Sequence, residues 1–175
     1  YYTEASWNRL VAARAAVDEA LNYGYMAGEQ PAVNAIAQEV YDARNALAYN
    51  TADYSVVNSW LAKITELEPT KNDYVNWANV EAAVAAVEAD LDITHQAAVD
   101  TMAANLETAY KALKLKDADY SKLNNQITAA QSVIADQALY TPGSFTNFLA
   151  VYNDALAFYM AEPKLNIQQQ ATVDA

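Results

Sequence analysis

Residues 117–127 read DADYSKLNNQI, and residues 51–61 read TADYSVVNSWL. The tetrapeptide ADYS thus stands at Ala52 and again at Ala118, 66 residues on. Apolar positions recur with it. Tyr54, Val57, Leu61, Ile64 and Leu67 are matched by Tyr120, Leu123, Ile127, Ala130 and Val133. Steps of three and four residues place such a set on one face of an α-helix. Recurrence of a whole stripe, rather than of four letters, marks a structural repeat. Asp53 and Asp119 precede the stripe, with Ser55 and Ser121 close behind. Short oxygen-bearing side chains accept hydrogen bonds from the free N–H groups at a helix start, so this segment reads as helix one of a repeating unit.

Two further stripes complete the unit. Trp77, Val80, Val84, Val87 and Leu91 echo Trp7, Leu10, Arg14, Val17 and Leu21 before them, and Phe145, Phe148, Tyr152, Ala155 and Tyr159 after them. Two of these helix-two copies are announced by a Tyr-Thr pair, at Tyr2 and Tyr140. Pro142 suits a first helical turn, where the N–H it lacks would go unused. For helix three, Val99, Met102, Leu106, Tyr110 and Leu113 follow Val33, Ile36, Val40, Arg44 and Leu47 by 66 residues. A last partial copy opens at QQQATVDA, residues 168–175, where Val173 takes the place of Val99 and Val33.

The order divides the chain into residues 1–51 (helices two and three), 52–115 (a complete three-helix unit) and 116–175 (helices one, two and the start of three). Short connectors such as DITHQ and EPTKND favour antiparallel neighbours. The expected architecture is all-α, with tandem three-helix bundles arranged end to end as an elongated rod. The joins AYNTADYS and LKLKDADYS hold no Pro or Gly, so helix three is expected to run almost collinearly into the next helix one. With its outer units incomplete, the chain is expected to be a segment of a longer one, and monomeric.

Composition agrees with a helical reading. The 175 residues are 54% hydrophobic and 18% charged, rich in Ala, with three Gly and four Pro to interrupt them. Ala loses no side-chain entropy in a helix. The net charge of −12, from 22 acidic and 10 basic residues, repels nucleic-acid phosphates and anionic membrane faces. No apolar run reaches the roughly 18 residues of a bilayer span, so no membrane insertion is expected within this chain. No basic start followed by an apolar core marks a signal peptide; a signal and anchor, if used, are expected outside these residues. The absence of cysteine excludes disulfides and thiolate metal sites.

Few residues suggest chemistry. His95, the only histidine, aligns with Glu29 and Gln169 at the entrance to helix three, which points to an exposed helix-start residue. The other copies lack the base that a Ser-His-Asp set would need. Calcium loops require alternating oxygen ligands, a central Gly and a final Glu, and DLDITHQAAVDT, from Asp90, supplies neither Gly nor Glu. Gly24, Gly28 and Gly143 form no phosphate-cradling loop. Arg14 and Arg44 interrupt otherwise apolar stripes, where their stems could snorkel. Thirteen tyrosines are the notable excess. Most lie on stripes, whereas Tyr41 and Tyr49 fall off theirs. Tyr23, Tyr25 and Met26 lie in the loop NYGYMAGEQ, where exposed aromatics can stack on sugars or anchor a protein partner. They are the candidate ligand-binding residues, against packing on the bundle end.

DADYSKLNNQITAAQSVI, LYTPGSFTNFLAVYNDAL and QAAVDTMAANLETAYKAL together resemble the three helices of the FIVAR module, a repeat found in various architectures. The likeness is looser over residues 1–51, where EQPAVNAIAQ departs from the pattern. It implies a non-catalytic helical repeat of secreted or wall-anchored proteins, mostly of Gram-positive bacteria, with no cofactor. A spacer, stalk or adhesion segment on the cell surface is the expected role. The alternative is a module that binds carbohydrate or a host matrix protein beside an extracellular glycan-active enzyme.

Overall fold

The computed structural model describes residues 1–175 and is all-α. Its helices are α1 (Glu4–Tyr23), α2 (Gln30–Asn45), α3 (Ser55–Leu67), α4 (Trp77–Ala85), α5 (Gln96–Lys111), α6 (Ser121–Ala135), α7 (Pro142–Met160) and α8 (Gln170–Asp174). Short 3₁₀ turns lead into α2, α5 and α8. No strand forms, but isolated antiparallel β-bridges join Tyr2 to Tyr49, Thr51 to Asp92, Tyr74 to Leu115 and Asp117 to Asn166. The chain gathers into two compact units, Tyr1–Thr65 with Glu81–Ala109, and Glu66–Val80 with Tyr110–Ala175.

In the first unit α1 packs against α2. The Tyr2–Tyr49 bridge closes the pair where α1 begins and α2 has ended, so the two run antiparallel. Their buried line is centred on small residues: Ala13 on α1 is 4% exposed and Ala43 on α2 is fully buried. This corrects the stripe reading by one residue, because Arg14 and Arg44 lie outside the line, exposed to solvent. A methyl side chain lets two backbones approach, whereas an arginine at the same place would have to be paired. The Arg44 guanidinium instead lies 5.5 Å from the Tyr41 ring centroid. Arg9 clips the outside of the pair with a two-pronged ion pair to Glu39, at 2.9 and 3.1 Å. The α3 and α5 stripes lie as their spacing predicts, with Val57, Ile64, Val99 and Leu106 buried.

Helix two of the middle copy departs from its expected course. It ends at Ala85 rather than continuing to Leu91, and Val84 is exposed while Ala83 is half-buried. The chain then turns through Asp90 in the left-handed region, at φ 61°; a short polar side chain tolerates that conformation better than most. Counted from the helix start, Val80 takes the position of Trp7 and Phe145, and Trp77 stands one turn earlier. The matching tryptophans therefore do not mark equivalent sites.

In the second unit α6 packs against α7 and α8. Tyr120, at the start of α6, contacts Phe158 and Tyr159, near the end of α7, with both centroid distances 6.1 Å. Pro142 opens α7 as expected, behind Thr141, whose carbonyl accepts the Phe145 N–H at 3.0 Å. Thr3 and Trp7 make the same bond, also at 3.0 Å, at the start of α1. The Tyr-Thr pair is thus a recurrent helix entry. Ile127, Phe145 and Val173 are buried on α6, α7 and α8, with Leu123, Ala130 and Tyr152 half-covered, and Trp77, Val80 and Ala118 are the other buried apolar residues of this unit.

Candidate functional site

The joins are not helical. Residues 46–54 and 112–120 lie between helices as turn and irregular backbone carrying isolated β-bridges, which corrects the expectation of one helix running into the next. Each join is bonded along both sides. In the first, the Thr3 N–H donates to the Ala48 carbonyl at 2.7 Å, and the Asn50 N–H donates to the Tyr1 carbonyl at 2.8 Å. On its other side the Ile93 N–H donates to Asn50 at 2.8 Å, and the Ala52 N–H donates to Leu91 at 2.9 Å. The second join repeats all four bonds. Val75 donates to Lys114, Lys116 to Asp73, Ile167 to Lys116 and Ala118 to Leu165, at 2.7 to 2.9 Å. Backbone groups that neither helix nor sheet would satisfy are paired in this way.

Each letter of ADYS has a task in this stitch. Ala52 and Ala118 are buried, 6% and 7% exposed, beneath the crossing backbone. The Asp backbone is held by a glutamine that opens the next helix three. Asp53 N–H donates to Gln96 Oε1 at 2.7 Å, and Gln96 Nε2 returns a bond to the Asp53 carbonyl at 3.1 Å. Asp119 and Gln170 do the same at 2.6 and 2.9 Å. A side-chain amide used in this way imitates a β-strand partner with one donor and one acceptor. The tyrosine hydroxyl accepts the N–H of the stitch leucine whose carbonyl takes the Ala52 or Ala118 bond, Leu91 to Tyr54 and Leu165 to Tyr120, both at 3.2 Å. The serine N–H donates to the aspartate Oδ1, at 2.8 Å for both Ser55–Asp53 and Ser121–Asp119.

The last contact shapes the electrostatics. Hydrogen bonds from Ser55 hold the Asp53 carboxyl below the usual carboxylate value, the backbone N–H first, and bonds from Ser121 lower Asp119, there the hydroxyl first and the backbone N–H second. Asp92, at the turn into α5, is also held low, chiefly by the Thr94 hydroxyl and then by His95. His95 is an exposed turn residue, its Nδ1 2.9 Å from Asp92 Oδ1. Glu29 and Gln169 reach back from the same position, accepting the N–H of Met26 at 3.0 Å and of Asn166 at 3.2 Å. No group of three or more His, Cys, Asp or Glu is arranged to hold a metal ion, and no polar or charged residue is buried.

The aromatic candidates separate into two places in the first unit. Tyr23 and Met26 are exposed, 69% and 79%, and Tyr25 is half-buried with its ring 4.8 Å from that of Tyr23. Gly24 between them adopts φ 72° and ends α1 in a left-handed cap. The spacing of the sequence did not disclose a second cluster, at the stitched end of α1. There Tyr2 stacks on Tyr49 at 5.0 Å and lies parallel to Trp7 at 6.1 Å. Tyr1, Tyr2, Glu4, Trp7 and Asn50 line an open cleft of about 500 Å³. A hydrogen bond with Tyr2 raises the Tyr49 phenol above its ordinary value. The available signal was Tyr49 itself, off the stripe of its helix and three positions before Ala52 of ADYS.

No family model, curated protein or solved structure matches the chain.

Proposed function

We propose that the chain is a non-catalytic repeat segment of a bacterial surface protein, built of tandem three-helix bundles of FIVAR type and acting as a spacer, stalk or adhesion segment. The observation that supports this reading best is the duplicated stitch. The same backbone bonds, the same aspartate–glutamine clamp and the same tyrosine brace recur at both joins. A segment that holds something at a distance needs joins of reproducible geometry, whereas a catalytic site needs a one-off constellation of convergent polar groups. The strongly acidic surface suits an extended, soluble, extracellular segment. Small-angle scattering tests the architecture. A rod has a radius of gyration well above the roughly 16 Å of a compact 175-residue domain, and a value near that figure would sink the tandem arrangement.

A second reading, binding of glycan or a host matrix protein, is favoured by the Tyr1–Tyr2–Trp7–Tyr49 cluster. Flat aromatic faces beside Glu4 and Asn50 combine stacking surface with polar groups that can fix a sugar's orientation. Glycan and matrix-protein arrays separate the two. A spacer shows no saturable binding. A binding module shows it, and its loss in Trp7→Ala places the ligand at the cleft, whereas loss in Tyr23→Ala with Tyr25→Ala places it at the loop.

A further inference from the structure

The two joins carry opposite charge at one matching position. Leu165, whose N–H the Tyr120 hydroxyl accepts, is preceded by Lys164. The Lys164 ammonium lies 5.2 Å from the centroid of the Tyr120 ring and 5.1 Å from that of Tyr159. It donates to the Tyr159 carbonyl and stands 3.6 Å from Glu162 Oε1. A cation over an aromatic face is attracted by the ring quadrupole, more strongly where water is partly excluded. In the first join Leu91 makes the same bond to Tyr54 but is preceded by Asp90. No lysine of this unit covers the ring, since the one it has, Lys63, lies over Trp60 at 3.9 Å. Tyr54 instead borders an open cleft of about 280 Å³, shared with Thr51, Asn58 and Asp90 and closed off by Ala52 and Ala89.

We propose that this cleft receives a lysine side chain from a partner protein, its ammonium held between the Tyr54 ring and the Asp90 carboxylate. Lys164 carries the argument for the occupant. The chain's own lysine shows that the tyrosine bracing a stitch accepts an ammonium beside it, with a carboxylate as counter-ion. Where Asp90 replaces that lysine, the counter-ion is present and the cation has to come from elsewhere. A lysine's four-carbon stem is slender enough for the cleft, and the oxygens of Thr51 and Asn58 are acceptors for ammonium donors that Asp90 does not take. The net charge of −12 draws a basic partner from a distance. The inference rests on the difference between the two joins and not on the role proposed above.

The test titrates the full chain with Nα-acetyl-lysine N-methylamide and follows backbone amides by NMR. Saturable shifts are expected at Tyr54, Asn58, Asp90 and Leu91, with Tyr120 and Leu165 unmoved. The norleucine analogue, which lacks the ammonium, should shift none of them. Asp90→Asn keeps a residue that tolerates the left-handed turn, and should weaken binding about threefold or more, the effect of losing an exposed charge pair. Asp90→Lys should abolish binding by supplying the ammonium from within, as Lys164 does. The converse exchange, Lys164→Asp, should add a second set of saturable shifts at Tyr120 and Leu165. Equal responses to the lysine and norleucine amides, or undiminished binding in Asp90→Asn and Asp90→Lys, would overturn the proposal. So would the lack of a second set in Lys164→Asp. Shifts with n-butylammonium but not with the lysine amide would overturn the assignment to a protein side chain.

Discussion

At the residue scale, the recurrent aspartates are as informative as the apolar stripe they precede. Asp53, Asp92 and Asp119 each accept bonds from neighbours within three residues, and each has a folded pKa below its ordinary value. A lowered folded pKa means that the folded state binds fewer protons than the unfolded one. The associated stability is therefore present above the unfolded carboxylate value and is lost as pH falls through the lower folded value. Carboxyl carbon shifts followed by NMR against pH should place Asp53 and Asp119 below free aspartate. Ordinary titration of both would refute the Asx contact. Asp53→Asn keeps an acceptor for the Ser55 N–H without a charge, and is expected to flatten the acid limb of the stability curve. The glutamine clamp offers a separate check. Gln96→Ala removes two bonds to the Asp53 backbone, and urea unfolding should register a loss of about 1–2 kcal/mol. A loss no larger than that of Gln38→Ala, whose side chain bonds only within its own helix, would show the clamp to be idle.

At the element scale, legibility depended on which side chains fill the core. For α3, α5, α6 and α7 large apolar residues mark the buried face, and counting threes and fours finds it. In α1 and α2 the face is centred on Ala13 and Ala43, whereas α4 buries Trp77 and Val80 as its stripe places them and only then passes to Ala83, with Val84 exposed. Alanine occurs on every face of these helices, so it carries no periodic signal, and the larger neighbours Trp7, Arg14 and Val84 drew the line to one side. Ala43→Leu tests the close approach of α1 and α2. Forcing three more carbons into a fully buried site is expected to cost about 1–3 kcal/mol, read by urea unfolding, while Val84→Lys on the exposed side of α4 should cost little. If Ala43→Leu is neutral, the two helices are not in tight contact there. The joins were legible as repeats but not as structure. No sequence rule foresees a backbone crossing paired to segments on either side, although a glutamine three residues before each stripe valine, at Gln30, Gln96 and Gln170, was visible in the sequence.

At the scale of the whole molecule, the repeat period and the compact units describe different things. The period, read from ADYS, tracks the helices. Each compact unit instead takes in one join, with α1 and α2 whole in the first and α6, α7 and α8 whole in the second, while α3, α4 and α5 contribute residues to both. Ala118→Asp, which would bury a carboxylate in the second join, should lower amide protection first in Glu66–Val80 and Tyr110–Ala175. Hydrogen exchange followed by mass spectrometry can resolve this. Uniform loss across residues 1–175 would mean that the chain unfolds as one body and that the joins do not organise local stability.

The stitch has a mechanical consequence. A flexible linker holds slack, which is taken up before any load reaches the domains it connects. Residues 49–51 and 115–117 hold little, because backbone bonds tie them to segments on both flanks. Such a join cannot lengthen until those bonds break, so its resistance to stretching is set by hydrogen bonds and not by chain entropy.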